Sequence, residues 1–109
     1  MNPLEIVKGD TVTLAYQIKE DGATKDITGM TFKLAVKERA EDLTFKITAV
    51  DGAIVDASQG KFSFNLTSVE TDQSPFAGRM ELAMYDSLNN KTTLTPAGGV
   101  EFRVIEDIV

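Results

Sequence analysis

Glu20, Asp21 and Asp26 crowd around Gly22, and carboxylates at such spacing raise the question of calcium. The positions do not fit the alternating oxygen-ligand pattern of a calcium loop, so the cluster reads as a solvated turn. Asp86, Asn89 and Asn90 pose the same question further on, and turn chemistry accounts for them without a ligand. Glu38, Glu41 and Asp42 form an acidic loop. As general acid and base they would need a cleft and a raised pKa, and their polar surroundings read as exposed. Ser58, Ser63, Ser68, Ser74 and Ser87 have no histidine to activate them, since the chain has none. A lysine-activated serine is chemically allowed, but no spacing supports one. Cysteine is absent too, which removes a disulfide framework, a thiolate zinc site and a Cys nucleophile. Gly98-Gly99 is a lone pair rather than a phosphate-binding loop. Asn65-Leu66-Thr67 and Asn90-Lys91-Thr92 match the glycosylation pattern, but without a secretory signal both read as chance. The expectation is a chain that is not an enzyme, with no metal and no cofactor.

Bulk properties narrow the partners. The 109 residues carry a net charge of -6, and the eleven basic residues are scattered singly. A phosphate-backbone binder needs clustered Lys and Arg, so nucleic acid is not expected. The acidity reads as solubility. No stretch is long and apolar enough to span a bilayer, so no membrane insertion is expected. Met1-Asn2-Pro3-Leu4-Glu5 has no basic region or signal-length apolar run, so the product is expected in the cytoplasm when made. The length fits a single domain over residues 1–109.

The elements that must position these residues are strands. Val12, Leu14, Tyr16 and Ile18 alternate with polar residues, as do Met30, Phe32, Leu34 and Val36. A period of two places each apolar set on one face of a strand. Asp21-Gly22 carries the signal of a tight hairpin turn. Leu4 to Val7 reads as an edge strand before a turn at Gly9. Leu43 to Thr48 alternates again, with Leu43, Phe45 and Ile47 expected inward, and Asp51-Gly52 reads as a turn. Phe62, Phe64 and Leu66 share a face. Thr67-Ser68-Val69-Glu70 has capping-box spacing, and Pro75 holds any helix begun there to about one turn. Met80, Leu82 and Met84 define another inner face, with Glu81 and Tyr85 outward. Asn89-Asn90 reads as a hairpin loop before Lys91 to Thr95. Val100, Phe102 and Val104 belong to a last strand ending near Ile105. The pattern predicts an all-β, Ig-like antiparallel β-sandwich of about seven to nine strands.

Gly9-Asp10-Thr11-Val12-Thr13-Leu14, Asp26-Ile27-Thr28-Gly29-Met30-Thr31-Phe32-Lys33-Leu34, Gly60-Lys61-Phe62-Ser63-Phe64-Asn65-Leu66-Thr67 and Gly78-Arg79-Met80-Glu81-Leu82 together carry a resemblance. The chain resembles the N-terminal immunoglobulin-like domain of phage baseplate upper proteins, from about Leu4 to Val104. The resemblance implies a structural sandwich in a phage or prophage tail or baseplate, assembled into the virion tail after synthesis in the bacterial cytoplasm. Its implied partners are other tail or baseplate proteins. Longer relatives carry further modules, so a chain stopping near Val109 would be a free-standing version or a fragment. The resemblance supplies no catalytic residues.

Two readings from other classes stay open. A carbohydrate-binding module would need exposed aromatics or a calcium site; the six Phe lie mainly at inward positions, and there is no Trp. An Ig-like adhesin or cell-surface module would have to be excised from a larger chain. If assembly is the function, open sheet edges are where it should act. Leu4, Ile6, Tyr85, Ile105, Ile108 and Val109 are the candidate interface residues. A homo-oligomer is expected, with a trimer as the form that the resemblance implies.

Overall fold

Period-two patterning resolves into two packed sheets in the computed structural model, which describes residues 3–39 and 41–106. The strands are β1 (Leu4–Val7), β2 (Val12–Gln17), β3 (Lys19–Glu20), β4 (Ala23–Thr24), β5 (Thr31–Lys37), β6 (Ile47–Asp51), β7 (Ala53–Asp56), β8 (Lys61–Leu66), β9 (Phe76–Tyr85), β10 (Lys91–Thr93) and β11 (Val100–Ile105). One turn of helix, α1 (Ser68–Thr71), lies between β8 and β9. The larger sheet has the order β1-β11-β9-β5-β6, with β10 also paired to β9; the smaller has the order β2-β8-β7. The short β3–β4 hairpin turns on Asp21 (φ 52°) and Gly22 (φ 81°). Two consecutive left-handed residues are what a two-residue hairpin turn requires, and Asp-Gly supplies them.

The inner faces meet as an all-β sandwich. Phe32, Leu34 and Val36 of β5 and Met80, Leu82 and Met84 of β9 are buried from one side, and Leu14, Phe62, Phe64 and Leu66 from the other. Phe32 stacks on Phe62 across the gap at 4.0 Å between centroids, and Phe64 meets Phe62 edge-on at 5.8 Å. Glu70 closes back on Thr67 at the start of α1 as the capping-box spacing predicts, accepting its N–H at 2.9 Å. The buried Thr71 hydroxyl donates to the Asp10 carbonyl at 2.6 Å, tying α1 to the β1–β2 turn.

Four expectations need correction. Eleven strands stand among the described residues where about seven to nine were expected, because Lys19–Glu20 and Ala23–Thr24 pair as a two-residue hairpin of their own. Strand pairing is not wholly antiparallel: β1 runs parallel to β11, with Leu4 opposite Phe102 and Ile6 opposite Val104. First and last strands can pair this way because the whole intervening chain serves as the crossover. Leu43 and Phe45 do not point inward. Residues 43–46 lie outside any strand, and β5 pairs with β6 only from Ile47 onward, across a register shift between Leu34 and Val36. Leu43 is 96% exposed and Phe45 48%, so only Ile47 of that alternating set reaches the core.

Asp51-Gly52 is not a reversing turn. The chain passes straight from β6 in the larger sheet to β7 in the smaller, with the Gly52 N–H donating to the Phe32 carbonyl at 2.8 Å. A Cβ on Gly52 would lie 2.9 Å from both Phe32 Cβ and Phe64 Cε1. A bare backbone is what lets the strand cross between the sheets so close to Phe32 and Phe64.

Candidate functional site

Four of the carboxylates that raised questions of metal or acid–base chemistry, Glu20, Asp26, Asp42 and Asp86, are occupied locally. Glu20 pairs with Lys25 at 3.0 Å. Asp26 accepts the Thr28 N–H at 2.9 Å and its hydroxyl at 2.6 Å, and the hydroxyl bond above all holds its pKa below the usual carboxylate value. Asp86 accepts the backbone N–H groups of Leu88 and Asn90 and the Asn90 side-chain amide; the Asn90 backbone bond is the largest cause of its lowered pKa. Asn89 stands beside them at φ 66°, shaping the loop. Asp42 accepts the Arg39 N–H at 3.0 Å, fixing part of the 38–42 loop; Ala40 in that loop lies outside the described residues. Ser58 donates to Asp56 at 3.0 Å. Among the described residues no three such side chains converge as metal ligands would.

The four candidate interface residues that are described stand in different surroundings. Leu4 is partly buried against the core. Ile6 is 4% exposed and belongs to the core, because the parallel pairing with β11 turns it inward beside Val104. It therefore has almost no surface for a partner. Ile105 is 37% exposed, and its carbonyl already accepts the Lys8 N–H at 2.9 Å. Ile108 and Val109 lie outside the described residues. Tyr85 is remote in sequence from these and stands on the outer face of the larger sheet.

That outer face carries a feature which the sequence pattern does not reveal. In the β5–β9 register, Lys33 faces Ala83, Ala35 faces Glu81 and Lys37 faces Arg79. Ala35, Ala49 and Ala83 are short where their neighbours are long, which leaves a trough of about 370 Å³. Ala83 is only 6% exposed although it points away from the core, because taller side chains surround it. Lys33, Lys37, Arg79 and Lys91 bring four cations to the trough, with Phe45 and Tyr85 also lining it. Lys33 pairs with Asp51, and Lys91 with Glu81 at 3.0 Å. The hydrogen bond and negative charge of Glu81 raise the Lys91 pKa. Lys37 lies over the Phe45 ring at 4.8 Å from its centroid. Arg79 is fixed by donating to the Gly98 and Gly99 carbonyls at 2.9 and 2.7 Å. The outward placement of Lys33 and Lys37 was a signal available in the sequence. Their meeting with Arg79 and Lys91 depends on a register between distant strands.

The model of the BppU N-terminal domain family matches residues 2–83. Among solved structures, the chain is similar to the N-terminal domain of phage TP901-1 ORF48, at 12% identity and a TM-score of 0.58. That likeness covers 97% of this chain and 85% of the other, and at such identity it is a likeness of fold. No curated protein sequence matches the chain.

Proposed function

The chain belongs to the BppU N-terminal domain family, that of phage baseplate upper proteins, and we propose that it works in a phage or prophage tail through protein–protein contacts. The family match over residues 2–83 is the observation that carries this reading. In this reading the chain is a single domain over residues 1–109, made in the bacterial cytoplasm and built into the virion tail. It acts without catalysis, metal or cofactor. Its partners are other tail or baseplate proteins and further copies of itself, with a trimer as the form the family resemblance favours. The net charge of -6 speaks against nucleic acid. No helix among the described residues is long and apolar enough to cross a membrane.

A sheet edge is the proposed self-contact. β1 ends the order of the larger sheet, so one row of its backbone groups lacks a strand partner among the described residues. Ion pairing of Glu5 with Arg103 at 3.3 Å places charge beside that edge, while Leu4 and Ile105 give it apolar surface. Light scattering on the isolated chain over a wide concentration range tests this, with a mass of three chains expected. A strict monomer at the highest concentration removes self-assembly. Absence of the chain from purified virions of its phage would overturn the tail reading itself.

A further inference from the structure

We propose that the trough on the outer face of the larger sheet is a docking cleft for an extended, acidic polypeptide segment of a partner protein. The inference deepens the assembly reading above and rests on it, by naming the surface and the chemistry of what it receives. Charge is the first argument. The whole chain is acidic, yet four of its eleven basic residues line this one trough. Two of them, Lys33 and Lys91, are neutralised by Asp51 and Glu81. Lys37 and Arg79 have no carboxylate partner among the described residues, and they sit directly opposite each other across β5 and β9. Like charges placed opposite on a sheet work against the fold; Arg79 is offset on its other flank, where it faces Glu101 of β11, whereas Lys37 has no such counter-charge opposite it in the β5–β9 register. Both cations are held in place, Arg79 by two carbonyls and Lys37 over Phe45. An anchored guanidinium beside an ammonium suits a carboxylate.

Shape is the second argument. The trough follows the sheet from Arg79 to Tyr85, about 20 Å at strand rise, long enough for about six extended residues. Its floor is alanine, and exposed Phe45 stands on its wall, so apolar side chains can lie between the carboxylates. A sugar would ask for neutral hydrogen-bonding groups and a flat aromatic platform, whereas the carboxylates here are tied to lysines. A nucleic acid would ask for more cations than two unpaired ones on a chain of net charge -6.

The test is fluorescence anisotropy with the full chain and a fluorescein-labelled eight-residue peptide alternating Glu and Leu. The Gln–Leu counterpart and a sulfated heparin octasaccharide serve as comparison probes. Binding of the Glu–Leu peptide is expected, falling with salt and about fivefold to tenfold weaker in Lys37→Ala, as for loss of one charge-assisted contact. Phe45→Ala should also weaken it, while Lys61→Ala on the other sheet should not. Thermal melts of each variant establish that the fold is intact. Binding by a chain that light scattering shows to be monomeric keeps this inference while removing self-assembly. Any of four results overturns it: no binding at millimolar peptide, equal binding of the Gln–Leu peptide, equal loss in Lys61→Ala, or tighter Lys37-dependent binding of the octasaccharide. Release of the peptide as the chain self-associates would give the cleft to a second copy and overturn the separate partner.

Discussion

The two sheets pattern their inner faces alike, the larger supplying more of the core, and differ on the surfaces they turn away from it. Each inner face presents aromatic and aliphatic side chains at period two, and Phe32 and Phe62 stack at the seam. The outer face of β2 and β8 in the smaller sheet is plain. Thr13 donates to Asn65 at 2.8 Å, Gln17 reaches the Gln59 carbonyl at 2.9 Å, and Ala15 and Ser63 fill the register between them. The outer face of the larger sheet holds the trough, with its cations and aromatic residues. Inner faces are constrained by packing, so they report the fold. An outer face that departs from plain polar cover reports something beyond folding.

The largest effect should come from the shared inner face. Phe64 is fully buried between the sheets, so Phe64→Ala should cost about 3–5 kcal/mol in denaturant unfolding. A loss below about 1 kcal/mol would mean that the two inner faces do not depend on each other in this way. The crossing point comes next. Gly52→Ala forces a methyl against Phe32 and Phe64, and overpacking of that kind costs about 1–3 kcal/mol. A neutral outcome would show that the strand can cross between the sheets further apart than the backbone indicates.

Acid should act on the loops rather than on either inner face. Asp26, Glu70 and Asp86 each have a lowered pKa in the folded chain, chiefly from hydrogen bonds to Thr28, Thr67 and Asn90 respectively. A carboxylate lowered on folding adds stability that is fully present above its unfolded pKa of about 4 and is lost as pH falls through the folded value. Thermal midpoints should therefore hold steady above that pH and decline below it. Asp86→Asn should flatten part of the decline. An unchanged slope in that variant would show that the loop bonds to Asp86 do not couple to folding. Chelator should leave the midpoint unchanged at neutral pH, and a drop of several degrees would mean that these loops hold a cation.

These contrasts also explain what could be read from the sequence. Phe32, Phe62, Phe64 and Leu82 were legible because inner-face burial follows a strictly local period. The Asp21-Gly22 hairpin and the Thr67–Glu70 start of α1 were legible because both motifs are complete within four residues. Leu43 and Phe45 alternate just as well, yet alternation does not supply a strand partner, and β5 has none for them. Asp51-Gly52 carries a turn signal, but Gly52 serves close packing against Phe32 and Phe64 instead. The trough was invisible for the same reason. Lys37 meets Arg79 only through a register set by strands about forty residues apart.

The smallest expected effect bears most directly on the difference between the outer faces. Lys37→Ala removes a cation lying over an exposed aromatic ring, a contact worth about 0.5–1 kcal/mol at such a site. It also removes the repulsion of Arg79 directly opposite, which is of comparable size. The two changes oppose each other, so unfolding free energy should stay within about 0.5 kcal/mol of the parent, as it should for Thr13→Ala on the other sheet. Salt separates the cases. Screening relieves the Lys37–Arg79 repulsion in the parent only, so added salt should favour the parent over Lys37→Ala, while the difference between the parent and Thr13→Ala stays constant. If Lys37→Ala instead cost more than about 1 kcal/mol at all salt concentrations, the cation would be part of what holds the sheet together. The outer faces would then differ in how they support the fold, and the like-charge pair would no longer point to a partner.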